Sequence, residues 1–221
     1  MSYIFVNEKE QKIPHQELET VEQMLVQEYI EADDVVLELG ARYGTVSVTL
    51  NKLLLDSANH LAVEPDQRVI DALKRNRDSN GCEFGVWPGF ITSNNNLSLT
   101  RTDHVCQGNT LLEGYGSTFS TLEDDNSESP PSVPLSHFSE YKFNTLVADC
   151  EGFLEYFFDE NPELYTQLDK IIMEEDYPQK CNYELLYKNF HKFGFKHVAN
   201  CRMGTIYREG INHHVFLKER K

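Results

Sequence analysis

The chain has 221 residues, of which 40% are hydrophobic, so it can form one large folded domain with a sizeable core. Lysine and arginine total 20 against 36 aspartate and glutamate residues, which gives a formal net charge of −16. Because an acidic surface repels phosphate backbones, we expect no nucleic-acid partner.

The amino-terminal residues 1–32 are predicted to form a short preamble to the main domain. Leu18, Val21 and Leu25 recur at helical spacing within residues 15–29, which indicates an amphipathic helix. The remaining residues, 33–221, are predicted to form one domain, since no internal repeat or second domain boundary is visible in them.

Strands and helices alternate in the next part of the chain. Runs of β-branched residues and leucine predict strands over 35–39, 60–63 and 82–86, and helical patterns predict helices over 45–55 and 66–77. This order is typical of a parallel sheet with right-handed crossovers.

The middle of the chain, residues 87–141, has no clear hydrophobic period and is rich in asparagine, serine, threonine, glycine and proline. We interpret it as an irregular loop. Such a segment is either a plain surface loop or a lid over a functional site.

Regular patterns return after residue 141. The predicted elements are, in order, strand 143–148, helix 153–158, strand 170–173, helix 183–193, strand 195–199 and strand 213–217. The connection between the last two strands is too short for a crossover helix, so these strands should pair antiparallel.

The five cysteines are widely spaced and form no C-x-x-C pair, so neither a zinc site nor a disulfide framework is indicated. No apolar run reaches the length of a membrane span, and the first residues lack the apolar segment of a signal peptide. We therefore expect a cytoplasmic protein without a membrane partner.

The first strand-to-helix turn carries the most informative motif. Residues 38–44 read E-L-G-A-R-Y-G, whereas a dinucleotide fingerprint starting at Gly40 would need glycine at positions 42 and 45. An acidic residue, one further residue and then G-x-x-x-G is instead the pattern of S-adenosylmethionine (SAM) enzymes. The predicted cofactor-binding residues of this turn are Glu38, Gly40, Ala41, Tyr43 and Gly44.

A second acidic residue, Glu64, ends the next predicted strand and is followed by Pro65. A carboxylate in that position accepts hydrogen bonds from the ribose hydroxyls of a nucleoside. Trp87 follows the third strand, where it would either lie near the adenine or belong to the core. Ser117 lies in residues 114–118, which would either fold over the cofactor or form a simple surface turn.

These features together predict an α/β fold. Two acidic residues at the ends of adjacent strands flank a glycine turn, and an antiparallel hairpin ends the chain. We expect a Rossmann-like class I methyltransferase fold, with a seven-stranded, mostly parallel sheet, an antiparallel last strand and helices on both faces.

Four blocks of the sequence resemble those of FkbM-type SAM-dependent methyltransferases: residues 36–44, 63–76, 146–152 and 171–175. The most specific element is Asp149-x-Glu151-Gly152, since the general SAM fold does not require it. Arg42 stands where the family usually has asparagine, and Cys150 where it usually has a small aliphatic residue. The resemblance implies O-methylation, often of a sugar hydroxyl in a glycan or a glycosylated metabolite.

An alcohol is a weak nucleophile, so its methylation needs a base beside the acceptor oxygen. Asp149 ends the fourth core strand and is the predicted base, although it could also only cap the next helix. Glu151 follows it and would orient the loop or bind substrate. His214 opens the last strand as an alternative base or substrate contact, with a structural role as the other interpretation.

The end of the next strand carries a second acidic cluster, Glu174, Glu175 and Asp176. Together with Asp149, Glu174 and Glu175 are predicted ligands of one divalent cation, Mg²⁺ or Mn²⁺, which would acidify a sugar diol. The alternative is a solvated acidic strand end without a metal.

The predicted function is SAM-dependent O-methylation, with a sugar hydroxyl as the acceptor. The alternatives are O-methylation of another small molecule or of a protein, and a SAM- or nucleotide-binding module without turnover. Such a module would belong to a larger glycan-assembly protein that contains a glycosyltransferase.

Overall fold

The computed structural model describes residues 3–14, 18–101, 104–107, 110–113, 117–121, 129–205 and 208–219. Within them the helices are α1 (Thr20–Tyr29), α2 (Thr45–Asn51), α3 (Ile70–Ser79), α4 (Leu154–Glu160), α5 (Leu164–Gln167) and α6 (Tyr183–Lys192). The strands are β1 (Val36–Leu39), β2 (His60–Val63), β3 (Gly85–Trp87), β4 (Phe90–Ile91), β5 (Ser98–Arg101), β6 (His104–Gln107), β7 (Thr110–Glu113), β8 (Ser117–Ser120), β9 (Ser132–Val133), β10 (Thr145–Ala148), β11 (Lys170–Glu175), β12 (Phe195–Thr205) and β13 (Arg208–Lys218).

The main sheet has seven strands in the order β12-β13-β11-β10-β1-β2-β3. All of its neighbours pair in parallel except β13, which runs antiparallel to both β11 and β12. The predicted mostly parallel sheet with a reversed last strand is therefore confirmed. Because β1 lies between β2 and β10, the carboxyl ends of these three strands meet at one edge of the sheet.

The strands are apolar because both faces of the sheet are covered. Successive residues of a strand point to opposite faces, so Leu37 joins the aromatic cluster of α4 and α6 while Val36 joins Leu25 and Leu50 of α1 and α2. Helices on both faces are thus confirmed.

Helix α1 belongs to the same core as the sheet. Leu25 and Val26 are buried in one cluster with Val36 and Val215. Residues of the predicted preamble, 1–32, thus pack in the core of the main sheet. None of the helices in the described ranges is long and apolar enough to cross a membrane.

The segment over 87–141 was predicted as an irregular loop, and the structure corrects this. Phe90 of β4 pairs with Ser132 of β9 in parallel, and Ser98 of β5 pairs with Ser120 of β8 antiparallel. A further antiparallel pair joins β6 and β7. These strands are two to four residues long and contact partners up to about forty residues away, so they leave little periodic signal.

Candidate functional site

A cavity of about 720 Å³ lies at the edge where β1, β2 and β10 end. It is lined by residues of four turns and of the short strands between β3 and β10: Glu19, Leu39, Gly40, Arg42, Val63, Glu64, Pro65, Gly89, Phe90, Ile91, Leu99, Ser117, Thr118, Phe119, Asp149, Cys150, Glu151 and Phe153. We call it the larger cavity.

The turn after β1 requires glycine at Gly40. Its φ of +89° is in the left-handed region, and a Cβ built there would lie 1.6 Å from the carbonyl oxygen of Asp149. The backbone of the turn can therefore approach both the β10 turn and a bound ligand closely. Gly44, with a φ of +79°, precedes α2, but it does not line the cavity.

Ala41 and Tyr43 are buried under the same turn and do not line the larger cavity either. The Tyr43 hydroxyl donates a hydrogen bond of 2.6 Å to Glu8. These two predicted cofactor-binding residues thus pack in the core and do not face the larger cavity. Arg42, which the sequence marked only as a departure from the FkbM pattern, does line the cavity.

Glu64, at the end of β2, is buried in the wall of the larger cavity. Its two carboxylate oxygens accept hydrogen bonds from the backbone N–H groups of Arg42 and Asp66, each at 2.7 Å. The Arg42 guanidinium in turn donates to Asp66 at 2.7 Å. Burial raises the pKa of Glu64, while Arg42 opposes the shift. The carboxylate is therefore fixed in direction and keeps lone pairs that can accept ligand hydroxyls.

One wall of the larger cavity is apolar and includes Pro65, Phe90 and Ile91. Trp87 is not part of it. The Trp87 indole N–H donates to the Phe90 carbonyl at 3.1 Å, and its ring packs edge-on against Phe138. Of the two interpretations of Trp87, the structure favours the core residue.

Ser117 lines the larger cavity, and its neighbour Thr118 joins strand β8 to the turn after β10. The Thr118 hydroxyl donates to the Glu151 carbonyl at 2.9 Å and accepts a hydrogen bond from Lys180 at 3.0 Å. The residues before Ser117, 114–116, lie outside the described ranges.

The other end of the larger cavity is acidic, with Glu19, Asp149 and Glu151 in its wall. Burial, helped by the nearby Glu22, raises the pKa of Glu19 to about 8. Burial also raises the pKa of Asp149 to about 7, against a hydrogen bond with Glu174 that lowers it. Glu19 also accepts a hydrogen bond from Thr45. Its place in the site was not predicted from the sequence, because it lies 130 residues before Asp149.

A second cavity of about 350 Å³ adjoins the first, since Glu19, Leu39, Gly40 and Asp149 line both. We call it the smaller cavity. Glu38 lies here and not in the larger cavity, and its Oε2 atom is 2.9 Å from Nε2 of the buried His60. Glu38 thus lies beside Gly40, which lines both cavities, but Glu38 itself faces only the smaller one.

The structure does not bring His214 or Glu175 to either cavity. Nε2 of His214 is 2.8 Å from Glu175, which also accepts the Tyr187 hydroxyl at 2.8 Å. Successive strand residues point to opposite faces, so His213 and Glu174 line the smaller cavity and their neighbours face α6.

The predicted metal set of Asp149, Glu174 and Glu175 is consequently not assembled. Among the described residues, two other groups bring three ligand atoms within 4.8 Å of one another. One consists of Glu22, Glu174 and His213, and the other of Asp149, Glu151 and Asp176.

Solved structures share this architecture. A precorrin-6y C5,15-methyltransferase from Geobacter metallireducens is 10% identical, with 99% of this chain and 100% of that chain covered, at a TM-score of 0.56. A ribosomal protein L11 methylase from Lactobacillus delbrueckii subsp. bulgaricus is 18% identical, with 93% and 81% covered, at 0.51. A Streptococcus pneumoniae protein assigned as a tRNA (m1A22) methyltransferase is 11% identical, with 90% and 70% covered, at 0.53.

The chain thus has the Rossmann-like fold of class I methyltransferases, as predicted. Neither a protein-family model nor a curated protein matches the sequence, so the FkbM resemblance stays a prediction. Because this fold also occurs in a protein assigned to tRNA, the comparisons do not support the exclusion of nucleic acid that the net charge suggested.

Proposed function

We propose that the protein is a SAM-dependent methyltransferase that binds SAM in the larger cavity. The observation that carries this proposal is the joint position of Gly40, Glu64 and Asp149 at the ends of three adjacent strands. In open α/β sheets this edge is where ligands bind.

The lining residues suit the three parts of SAM. Glu64 would accept the ribose hydroxyls, since its oxygens are already aimed by two backbone N–H groups. The apolar wall with Pro65 and Phe90 would cover the adenine. Glu19 and Asp149 would face the cationic methionine end, which would supply the positive charge that favours their ionised forms.

When bound, SAM supplies a methyl group that its sulfonium already activates. The protein then has to align an acceptor atom, exclude water and remove a proton. Asp149 is suited to the last task, because burial raises its pKa to about 7 and keeps the proton exchangeable near neutral pH. In the proposed reaction Asp149 would take the hydroxyl proton of the acceptor as the methyl group is transferred to its oxygen.

For the acceptor we propose a hydroxyl group of a sugar, with Glu151 as a substrate contact. This finer proposal is supported by the Asp149-x-Glu151-Gly152 block that resembles FkbM-type enzymes, and by the polar Ser117 and Thr118 in the cavity wall. The alternative is a SAM-binding module without turnover, and the following experiment distinguishes the two.

The test measures formation of S-adenosylhomocysteine (SAH) with a panel of monosaccharides and nucleotide sugars. With the best acceptor, Asp149→Asn should lower kcat by about 10²- to 10⁴-fold, because the amide cannot accept the proton. The matched control is Glu175→Gln, which removes a carboxylate on the opposite face of the sheet. Undiminished transfer by Asp149→Asn would refute the base, and SAM binding without turnover on any acceptor would favour the binding module.

A further inference from the structure

We propose that Glu22, Glu174 and His213 form a binding site for one first-row divalent metal ion, Zn²⁺ being the best match. The site lies in the smaller cavity and uses different residues from the Mg²⁺ or Mn²⁺ set predicted from the sequence. None of the three residues lines the larger cavity, but Glu174 shares a hydrogen bond with Asp149, which lines both cavities.

The fold brings the three side chains together from three elements. Glu174 of β11 and His213 of β13 are paired directly across the antiparallel ladder, so their side chains leave the sheet on the same face. Helix α1 packs over that face and contributes Glu22. Nε2 of His213 lies 2.9 Å from Glu22 and 4.0 Å from Glu174.

These distances fit a metal centre after small side-chain rotations. Ligand atoms about 2.0–2.2 Å from a tetrahedral zinc ion lie roughly 3.4 Å from one another. The three ligand atoms here lie within 4.8 Å of one another, and the two distances from His213 fall on either side of that value. Three protein ligands with an open fourth position are a known zinc arrangement.

A second observation, independent of the clustering, points to a ligand. Glu22 is 8% exposed, and its Oε2 atom is buried with no hydrogen-bond partner among the described residues. Glu22 lines the smaller cavity together with His213, which is 1% exposed. A buried carboxylate oxygen without a partner is costly, and coordination of a cation would satisfy it.

The charges of the smaller cavity favour a cation as well. Five carboxylates line it, and they come from Glu19, Glu22, Glu38, Asp149 and Glu174. Its described lining contains no lysine or arginine, and among the described ion pairs Glu22 and Glu174 have only His213 as a partner. A bound dication would face these carboxyl groups without a competing lysine or arginine in the described lining.

The donor atoms indicate which ion to expect. An imidazole nitrogen combined with two carboxylate oxygens suits zinc and its neighbours, whereas Mg²⁺ and Ca²⁺ prefer oxygen donors alone. The all-oxygen group of Asp149, Glu151 and Asp176 has no comparable second observation, since the Tyr183 hydroxyl already donates to Asp176 at 2.9 Å.

The test uses metal-stripped full-length protein titrated with Zn²⁺ in competition with a chromogenic chelator, and with Co²⁺ as a spectroscopic probe. We expect one ion per chain and visible Co²⁺ absorption bands. Glu22→Gln and His213→Asn should each weaken Zn²⁺ binding by at least about 100-fold. The matched control is His214→Asn, the next residue along β13, whose imidazole also pairs with a carboxylate but faces away from the smaller cavity.

Absence of stoichiometric Zn²⁺ and Co²⁺ binding to the wild type would overturn the proposal, as would equal losses in His213→Asn and His214→Asn. Circular dichroism identifies a variant that fails to fold, and Glu22→Gln on α1 then carries the comparison alone. Calorimetry with SAH on the same samples separates the two proposals, because wild-type protein that binds SAH but neither Zn²⁺ nor Co²⁺ refutes only the metal site.

Discussion

Substitution of Gly40 by alanine tests the geometry of the proposed cofactor turn. Two costs add in this variant. A residue with a Cβ at a φ of +89° loses about 1–2 kcal/mol, and the new Cβ would lie only 1.6 Å from the Asp149 carbonyl oxygen. Relief of such an overlap requires backbone movement that costs a further ~1–3 kcal/mol. We therefore expect a loss of roughly 2–5 kcal/mol in the free energy of unfolding.

Gly194 provides the matched control. Its φ is +90°, nearly the same as that of Gly40, but no described atom lies within 4 Å of a Cβ built there. Gly194→Ala should therefore lose only the conformational part, about 1–2 kcal/mol. Urea unfolding gives both values, and calorimetry with SAH should show at least a tenfold weaker affinity for Gly40→Ala alone. Equal destabilisation by the two variants, with unchanged SAH binding, would refute the proposed turn geometry.

Two further predictions concern buried charges. Folding raises the pKa of Glu19 from 4.5 to about 8. Between these pH values the folded protein keeps a proton on Glu19 that the unfolded chain has lost. The free energy of unfolding therefore falls as the pH rises from about 4.5 towards 8. Thermal unfolding should accordingly show that Glu19→Gln gains about 3–4 kcal/mol over the wild type between pH 5 and pH 8, and a constant difference would contradict this. Lys170 and Asp34 form an ion pair with side chains only 6% and 1% exposed, so Lys170→Met should cost about 3–5 kcal/mol in urea unfolding. The exposed pair of Lys188 and Glu184 is the control, and Lys188→Met should cost less than about 1 kcal/mol.

The central sheet could be predicted from the sequence because its strands are short apolar runs closed by turn residues. The strand at 60–63 has the predicted bounds, and the reversed hairpin at the end of the chain follows from its short connection. The helix predicted over 66–77 begins only at Ile70, since the Asp66 side chain binds Arg68 and holds the residues between in a turn. The local sequence pattern thus predicts that a helix or strand exists more accurately than it predicts the residue at which it begins or ends.

The side to which a buried strand residue points could not be predicted. Strands β11 and β13 are apolar on both faces, so no alternation tells Glu174 from Glu175 or His213 from His214. The prediction included Glu175 and His214, which line neither of the two cavities. The face to which each side chain points is set by the register between the two strands and by the helix that packs on each face.

The positions of Glu19 and Trp87 depend on contacts between segments that are distant in sequence, so they could not be predicted from local patterns. Glu19 reaches the cavity because α1 packs across α2 and the sheet, and nothing near residue 19 signals this. Trp87 was a candidate for the adenine pocket, but Phe138 and the Phe90 carbonyl hold it in the core. By contrast, Gly40 and Glu64 line the larger cavity because the motif and the strand end fix them locally.

Calorimetric titration of the wild-type protein with SAM and SAH tests the proposed cofactor site most directly. The account predicts one binding site per chain with a Kd below about 100 µM for each ligand, and a loss of at least tenfold in Glu64→Ala. No binding of either ligand at several hundred micromolar, or binding that Glu64→Ala leaves unchanged, would contradict it.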